Sequence, residues 1–422
     1  MASPIKWQLV FSKRNRTFMT TNGRQATDVV ILSGARLPQG KFLGALKPFS
    51  AVQLGSMAVR AAVERSGLPP ETISEVIIGQ VVAAGAGQAV PRQIWIGAGF
   101  PDSVGGTAVN KACGSSLKAV MLAANGIKAG DGVAYVAGGI ESMSNAPYLD
   151  MATRSGARYG HVELRDSLQH DGLFCSMTDQ LMGNAAEFIA NQLEVSREEM
   201  DEFALSSHQK AAAATEAGKF KAEIVPVTLQ DKKGALTMDR DEPIRPETTL
   251  EALSKLKPAF DPNGRVTAGN APGLNDGAAA VVVARRDFAE RHGAQPLARI
   301  VGYGQAALDP RWIFYAPVKA IPVALERAGW QMSDVDLFEI NEAFAAQVLA
   351  DVRGLAREGY ELPMHKLNVN GGAIALGHPV GASGARVLIT LIYALKDRGL
   401  KRGVAALCLG GGEAVAMAVE VE

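Results

Sequence analysis

The chain has few cysteines, no net charge and no long apolar run. Its three cysteines, at 113, 175 and 408 of 422 residues, are too few and too far apart for a disulfide framework. A reducing compartment is favoured, and the chemistry of free thiols stays open. Lysine plus arginine and aspartate plus glutamate both number 43, so nothing draws the chain to nucleic acid or an anionic membrane surface. No apolar run approaches the roughly 20 residues that span a bilayer. No spacing of His, Cys, Asp and Glu suggests a bound metal. What is present, 47% hydrophobic and 20% charged residues, describes a soluble globular protein. Its length is enough for two or more packed units.

Residues 1–26 stand apart. They hold Lys6, Lys13, Arg14, Arg16 and Arg24, and the first acidic residue is Asp28. The favoured expectation is a disordered extension, or an upstream start with Met19 as the true one. The location is then cytoplasmic. A transit peptide to the mitochondrial matrix is the alternative.

From Asp28 onward, short β-rich runs alternate with helical patterns. Strands are expected at Val29–Ser33, Val76–Gly79, Val133–Ala137 and Ala278–Ala284, and helices at Ser50–Ser66 and Ser115–Lys128. This alternation predicts a buried α/β sheet. The pattern then returns. Asp336–Ile340 echoes Val76–Gly79, and Cys113 with its helix matches His378 with the helix Ser383–Lys396. Ala405–Glu413 echoes Ala134–Glu141, although the spacings agree only loosely. The expectation is a duplicated α/β unit. Its halves are 27–143 with 273–296, and 297–422. The charged, partly apolar stretch 144–272 reads as an inserted domain.

Three blocks carry chemistry. Cys113 lies in Asn-Lys-Ala-Cys-Gly-Ser-Ser (110–116), Cys408 opens Cys-Leu-Gly-Gly-Gly-Glu (408–413), and His378 lies in the glycine-rich block 371–384. Two thiols and an imidazole, wrapped in residues that allow close backbone approach, point to acyl transfer through a thioester. Cys113 stands just before a helix, whose positive start is expected to lower its pKa. His161, His170, His208, His292 and His365 are expected at the surface.

These blocks, with Asn-Glu-Ala-Phe-Ala (341–345) and Asn-Asp-Gly-Ala-Ala (275–279), resemble the thiolase family in the family's order. The resemblance runs from about Thr27 to the carboxyl end. It implies an α/β fold of two duplicated halves with layered sheets and helices, plus an inserted loop domain that receives coenzyme A. It implies a homodimer or homotetramer acting on acetyl-CoA, acyl-CoA and CoA as substrates, with no cofactor. Cys113 would carry the acyl group, His378 would take its proton, and Cys408 would move the proton at the α-carbon. The N–H groups of Cys113 and Gly410 would form one oxyanion hole; His378 and a water held by Asn341 would form the other. Glu342 is read as support. Arg245 stands where the family has an arginine near the nucleotide. Ala271, Pro272, Met182 and Phe344 fall at substrate-binding positions, with three departures from the pattern. Pro272 replaces a serine, Ala252 stands where many members have serine, and Leu181-Met182-Gly183 replaces the His-Met-Gly of short-chain members. A ketoacyl-synthase-like condensing enzyme typically has two histidines where this chain has His378 and Cys408. A non-catalytic acyl-CoA-binding scaffold would not be expected to keep both Cys113 and His378.

Overall fold

The computed structural model describes residues 25–231 and 234–422, so nearly all of the basic leader lies outside the described residues. The repeated pattern folds as two like halves. The first supplies β1 (Val29–Arg36), β2 (Glu75–Gly79), β3 (Gly105–Val109), β4 (Ala134–Ser142) and β5 (Asn275–Arg285). The second supplies β6 (Ala298–Ala307), β7 (Leu337–Ile340), β8 (Arg402–Leu409) and β9 (Glu413–Val421). Their order is β7-β8-β9-β6-β1-β5-β4-β2-β3. Read outward from the middle, the two halves repeat each other. β2 is parallel to β4, β4 antiparallel to β5, and β5 antiparallel to β1. Likewise β7 is parallel to β8, β8 antiparallel to β9, and β9 antiparallel to β6. Even an irregularity recurs: the ladder shifts between Ile31 and Ser33 in β1, and between Ile300 and Gly302 in β6. A short antiparallel seam, Val30 opposite Arg299 and Ile31 opposite Ala298, joins the halves.

Among the described residues, the α-helices of eight or more residues are α1 (Ala51–Ser66), α2 (Val90–Gly97), α3 (Ser115–Ala129), α4 (Met182–Gln192), α5 (Arg197–Glu216), α6 (Ala316–Ala328), α7 (Ala345–Arg357) and α8 (Ser383–Asp397). Local chemistry sets their ends. Ser50 and Gln53 form a capping box at the start of α1, and Gly67 ends it at φ 71°. Strand alternation then sorts the side chains into layers. Val29 and Ile31 join α3 and α8 in a central layer, while Val30 and Leu32 face α1 on the outside. In β8, Leu407 and Leu409 face the central layer, and Ala406 and Cys408 face the side of α6 and α7. Every residue of α8 from Ser383 to Ile392 is buried, as expected of a helix that packs on strands of both halves of the sheet. The halves meet where a side chain would not fit: a Cβ on Gly139 of β4 would lie 2.0 Å from the carbonyl oxygen of Gly381.

The stretch after β4 leaves the sheet, forms α4, α5 and three small hairpins, and returns at β5. Arg36 at the end of β1 ties it down. Its fully buried guanidinium holds both oxygens of Asp241 at 2.7 and 2.9 Å, and Glu223 at 2.8 Å. Among the described residues no helix is long and apolar enough to cross a membrane.

The structure corrects the register of the duplication. Ser115 to Ala134 and Ser383 to Arg402 span the same interval, so α3 and α8 are equivalent. Isolated bridges pinch the chain at Lys111–Cys113 and at Val369–Gly371. The counterpart of Cys113 is therefore Gly371, and His378 rides on an extra loop before α8. His378 thus stands five residues before its helix where Cys113 stands two, which accounts for part of the loose spacing.

Candidate active site

A cavity of about 320 Å³ brings Cys113, His378 and Cys408 together. Apart from Gln169 the rest of its wall is apolar, and it includes Met182, Ala271, Pro272 and Phe344 from the expected set. Phe344 meets Phe314 and Phe260 edge-on, with centroids 5.4 and 6.3 Å away. Asn341 and Gly410 do not line this cavity but adjoin residues that do. Arg245 is exposed and outside it.

Cys113 is presented by a strained turn. Ala112 adopts φ 44°, a left-handed conformation that costs a β-carbon residue about 1–3 kcal/mol. Three hydrogen bonds hold it. The N–H of Ala112 donates to Asn110 Oδ1 (3.1 Å), the N–H of Lys111 donates to Ser115 Oγ (2.9 Å), and Ser115 Oγ donates to the Ala112 carbonyl (2.6 Å). The expectation of a lowered thiol pKa is overturned. Burial pushes the thiol up to about 12, assisted by the charge of Glu141. The N–H groups of Cys113 and Gly410, both directed at the sulfur, only partly oppose this. Removal from water is the largest influence on this thiol, which stands one residue before Gly114, the cap of α3.

His378 is fixed through both ring nitrogens. Its Nδ1 lies 2.6 Å from Ser383 Oγ, which donates its single proton to the Pro379 carbonyl at 2.9 Å. The hydroxyl must therefore accept from Nδ1–H, which leaves the Nε2 lone pair as the basic position. Asn341 Nδ2 stands 3.5 Å from that nitrogen. The other end of the same amide, Oδ1, faces Arg386 Nη2 at 3.4 Å, so Arg386 sets which way Asn341 points. Arg386 is itself buried against Glu339 at 3.1 Å. Burial, with the Arg386 charge, pushes His378 down to about 3. The resting site thus holds a neutral thiol and a neutral imidazole. Cys408, at the end of β8, is 1% exposed. Burial raises its thiol well above the ordinary value, and the charges of Cys113 and Asp351 add to that.

Glu342 faces away from Asn341 and does the supporting work expected of it. It accepts from Ser207 Oγ (2.7 Å), Ile374 N–H (3.0 Å) and Asn368 Nδ2 (2.9 Å), binding α5 to the loop that leads to His378. Glu141 plays a similar part from β4. It accepts the N–H groups of Val81, Val82 and Gly381 at 2.9–3.1 Å, and burial pushes it up to about 7. Neither Glu141 nor Arg386 was picked out from the sequence. Ser383 falls inside the glycine-rich block 371–384, and its place at the start of a helix five residues after His378 is the signal the sequence offers. One expectation fails outright: His208 is buried on α5, where Nδ1 accepts the N–H of Arg245 at 3.2 Å. It belongs to the side of α5 that the inserted chain covers.

Residues 29–287 match the model of the thiolase N-terminal domain, and residues 294–421 match that of the C-terminal domain. The chain is 51% identical over 395 residues to an acetyl-CoA acetyltransferase of Cupriavidus necator, covering 93% of this chain and 99% of that one. It is 47% identical over 394 residues to an acetyl-CoA acetyltransferase of Paracoccus denitrificans, with the same coverage. The crystal structure of the Bacillus anthracis acetyl-CoA acetyltransferase superposes with a TM-score of 0.90 at 43% identity. That match covers 94% of this chain and 99% of the other.

Proposed function

The chain belongs to the thiolase family, and on that footing we propose that it catalyses the reversible condensation of two acetyl-CoA to acetoacetyl-CoA and CoA. The observation that carries the reading is the convergence of two thiols and one imidazole on a single apolar cavity. Thiolysis of a 3-ketoacyl-CoA is the same path reversed. The CoA thioesters are substrates, and the scheme uses no cofactor.

The neutral resting pair sets the first step. Cys113 Sγ attacks the thioester carbonyl as its proton passes to His378 Nε2, so the thiolate forms only when the acceptor is in place. The N–H groups directed at the Cys113 sulfur are suited to the oxygen that becomes negative beside it. The carbon–sulfur bond to CoA breaks, and CoA leaves with a proton. With a second acetyl-CoA bound, Cys408, acting as its thiolate, takes a methyl proton while His378 and Asn341 support the enolate oxygen. The enolate carbon then attacks the acyl carbon, a carbon–carbon bond forms, the bond to Cys113 breaks, and the proton carried by Cys408 passes to the Cys113 sulfur, restoring both groups. Met182, Ala271, Pro272 and Phe344 would enclose the acyl and pantetheine portion. The solvent-exposed Arg245 would serve the nucleotide end.

A homodimer or homotetramer is part of the proposal. It is supported by the exposed edge strand β3 and by exposed Tyr148, Met151 and Leu164 in the inserted stretch. A cytoplasmic location is consistent with three free cysteines. The test is loss of acetoacetyl-CoA absorbance on adding free CoA, together with mass spectrometry after mixing with acetyl-CoA. An acetyl adduct on Cys113 is expected; an adduct confined to Cys175 would overturn the assignment.

A further inference from the structure

Asn275 opens β5 and is 1% exposed. Both ends of its amide are engaged. Nδ2 donates at 2.9 Å to the carbonyl of Gly40, in a two-residue strand that runs antiparallel beside Asn275 and Asp276. That bond fixes which end of the amide is oxygen, and Oδ1 accepts the main-chain N–H of His378 at 2.8 Å. The contact joins the first half of the molecule to the second, across 103 residues. Two residues further along the same face of β5, Gly277 lies opposite Glu141 of β4. A Cβ on Gly277 would stand 2.9 Å from Pro379 Cγ, so the bare strand leaves room for the proline ring. Glu141 takes the Gly381 N–H at 2.9 Å. Asn275, Gly277 and Glu141 thus seat His378, Pro379 and Gly381 in turn. The fit is close on the other side as well: Gly377 has φ 110°, and a Cβ there would stand 2.8 Å from Asn275 Cγ.

The seat matters because the loop before α8 is an addition to the repeat, so the repeated fold does not by itself fix its path. Ser383 orients the imidazole through Nδ1, but where the ring stands depends on the backbone that carries it. The thiolase reading asks the ring to serve Cys113, a residue of the other half. On that reading, we infer that Asn275 is a positioning residue for His378: its amide pins the His378 main chain to the first half, so that the imidazole shares the cavity with Cys113. No covalent bond changes at Asn275. It does not line the cavity, and it acts through His378 without touching substrate.

The test compares Asn275→Ala and Asn275→Asp with the parent protein. Four quantities are read: the maximal rate of Cys113 acetylation, the acetyl-CoA concentration that half-saturates it, iodoacetamide alkylation of Cys113, and Tm. Misplacing a reacting group by about 1 Å costs on the order of 100-fold, so Asn275→Ala should lose about that much in acetylation rate. Half-saturation should stay within about two-fold, because the cavity wall is untouched. Asn275→Asp keeps the shape and an acceptor for the His378 N–H, and should recover about ten-fold or more of the loss. The decisive comparison is made in the His378→Ala background. There Asn275→Ala should slow alkylation no further, because a residue that acts through the imidazole has nothing left to act on. A further loss of alkylation in that background would overturn the inference. So would acetylation in Asn275→Ala within about two-fold of the parent, or rates that simply track Tm across the variants, which marks a merely structural role. Should Asn275→Ala fail to fold, Gly377→Ala carries the same comparison, since its Cβ would part the amide from the His378 N–H. Failure of the parent to acetylate Cys113 would instead remove the thiolase reading, and this inference with it, whereas alkylation of Cys113 needs no CoA thioester.

Discussion

Ser383→Ala offers a sharp test of how the imidazole is set. The hydroxyl accepts from His378 Nδ1–H at 2.6 Å and is itself oriented by the Pro379 carbonyl. Both groups are buried, so no water replaces the lost acceptor. A buried donor left without a partner costs about 1–3 kcal/mol. The ring can relieve that cost by moving its proton to Nε2, beside Asn341, and it then loses the basic lone pair the reaction needs. The preference for the productive tautomer should fall by the same amount, roughly five- to 150-fold. Both partial reactions should suffer: acetylation of Cys113, because the proton acceptor is blocked, and methyl-proton exchange, because the enolate site is disturbed. Stopped-flow acetylation and deuterium exchange on the purified variant would read this directly. The reasoning is refuted if both rates stay within two-fold of the parent while Tm is unchanged.

Three further outcomes are expected. Cys408→Ser should still be acetylated on Cys113 by acetyl-CoA but should lose about 10²–10⁴ in methyl-proton exchange, and equal loss of both would mean the thiols do not divide the work. Gly183→Ala would put a Cβ 2.2 Å from the Phe260 ring in the cavity wall, so thiolysis should show a raised KM and the fold a loss of about 1–3 kcal/mol, read from urea midpoints. Burial depresses His208 to about 4 and His378 to about 3, so the stability tied to their neutral forms is complete above the unfolded value of 6.5 and falls with pH below it. The slope approaches about 1.4 kcal/mol per pH unit for each histidine. Between pH 6.5 and 4, His208→Gln should therefore show a flatter stability profile than the parent, and parallel profiles would contradict the assignment.

The sequence was most legible where a residue's role depends on its neighbours in the chain. The runs Val29–Ser33, Ser50–Ser66 and Ala278–Ala284 all lie in the expected elements, because alternation and capping are local. Cys113, His378 and Cys408 were legible for a similar reason, each carrying its glycine-rich setting with it. What escaped was decided by burial and by distant partners. The helix start before α3 suggested an acidic thiol, but desolvation by burial dominates. His208 looked like any helical histidine until the chain near Arg245 covered it. Glu141 and Gly381 are far apart in sequence and meet only because β4 packs against the loop of the other half. Arg386 was one more residue of an apolar helix until both halves of the sheet closed over α8.

The strand order also constrains how the protein can be made. β5 comes last in sequence among the strands of the first half, yet it sits between β1 and β4; β9 comes last in the second half and sits between β6 and β8. A chain emerging from the ribosome therefore cannot complete either half-sheet progressively. Before Asn275 is synthesised, β1 and β4 have no strand between them, and before Glu413 the same holds for β6 and β8. Each half waits with open edges and unburied Val and Ala faces, the state in which nascent chains most readily pair with the wrong partner. Ribosomes stalled just before β9 should yield aggregation-prone, chaperone-bound chains, whereas stalling within residues 1–24 should leave no such species. The sheet order thus makes late synthesis, more than early folding, the vulnerable interval in this protein's life.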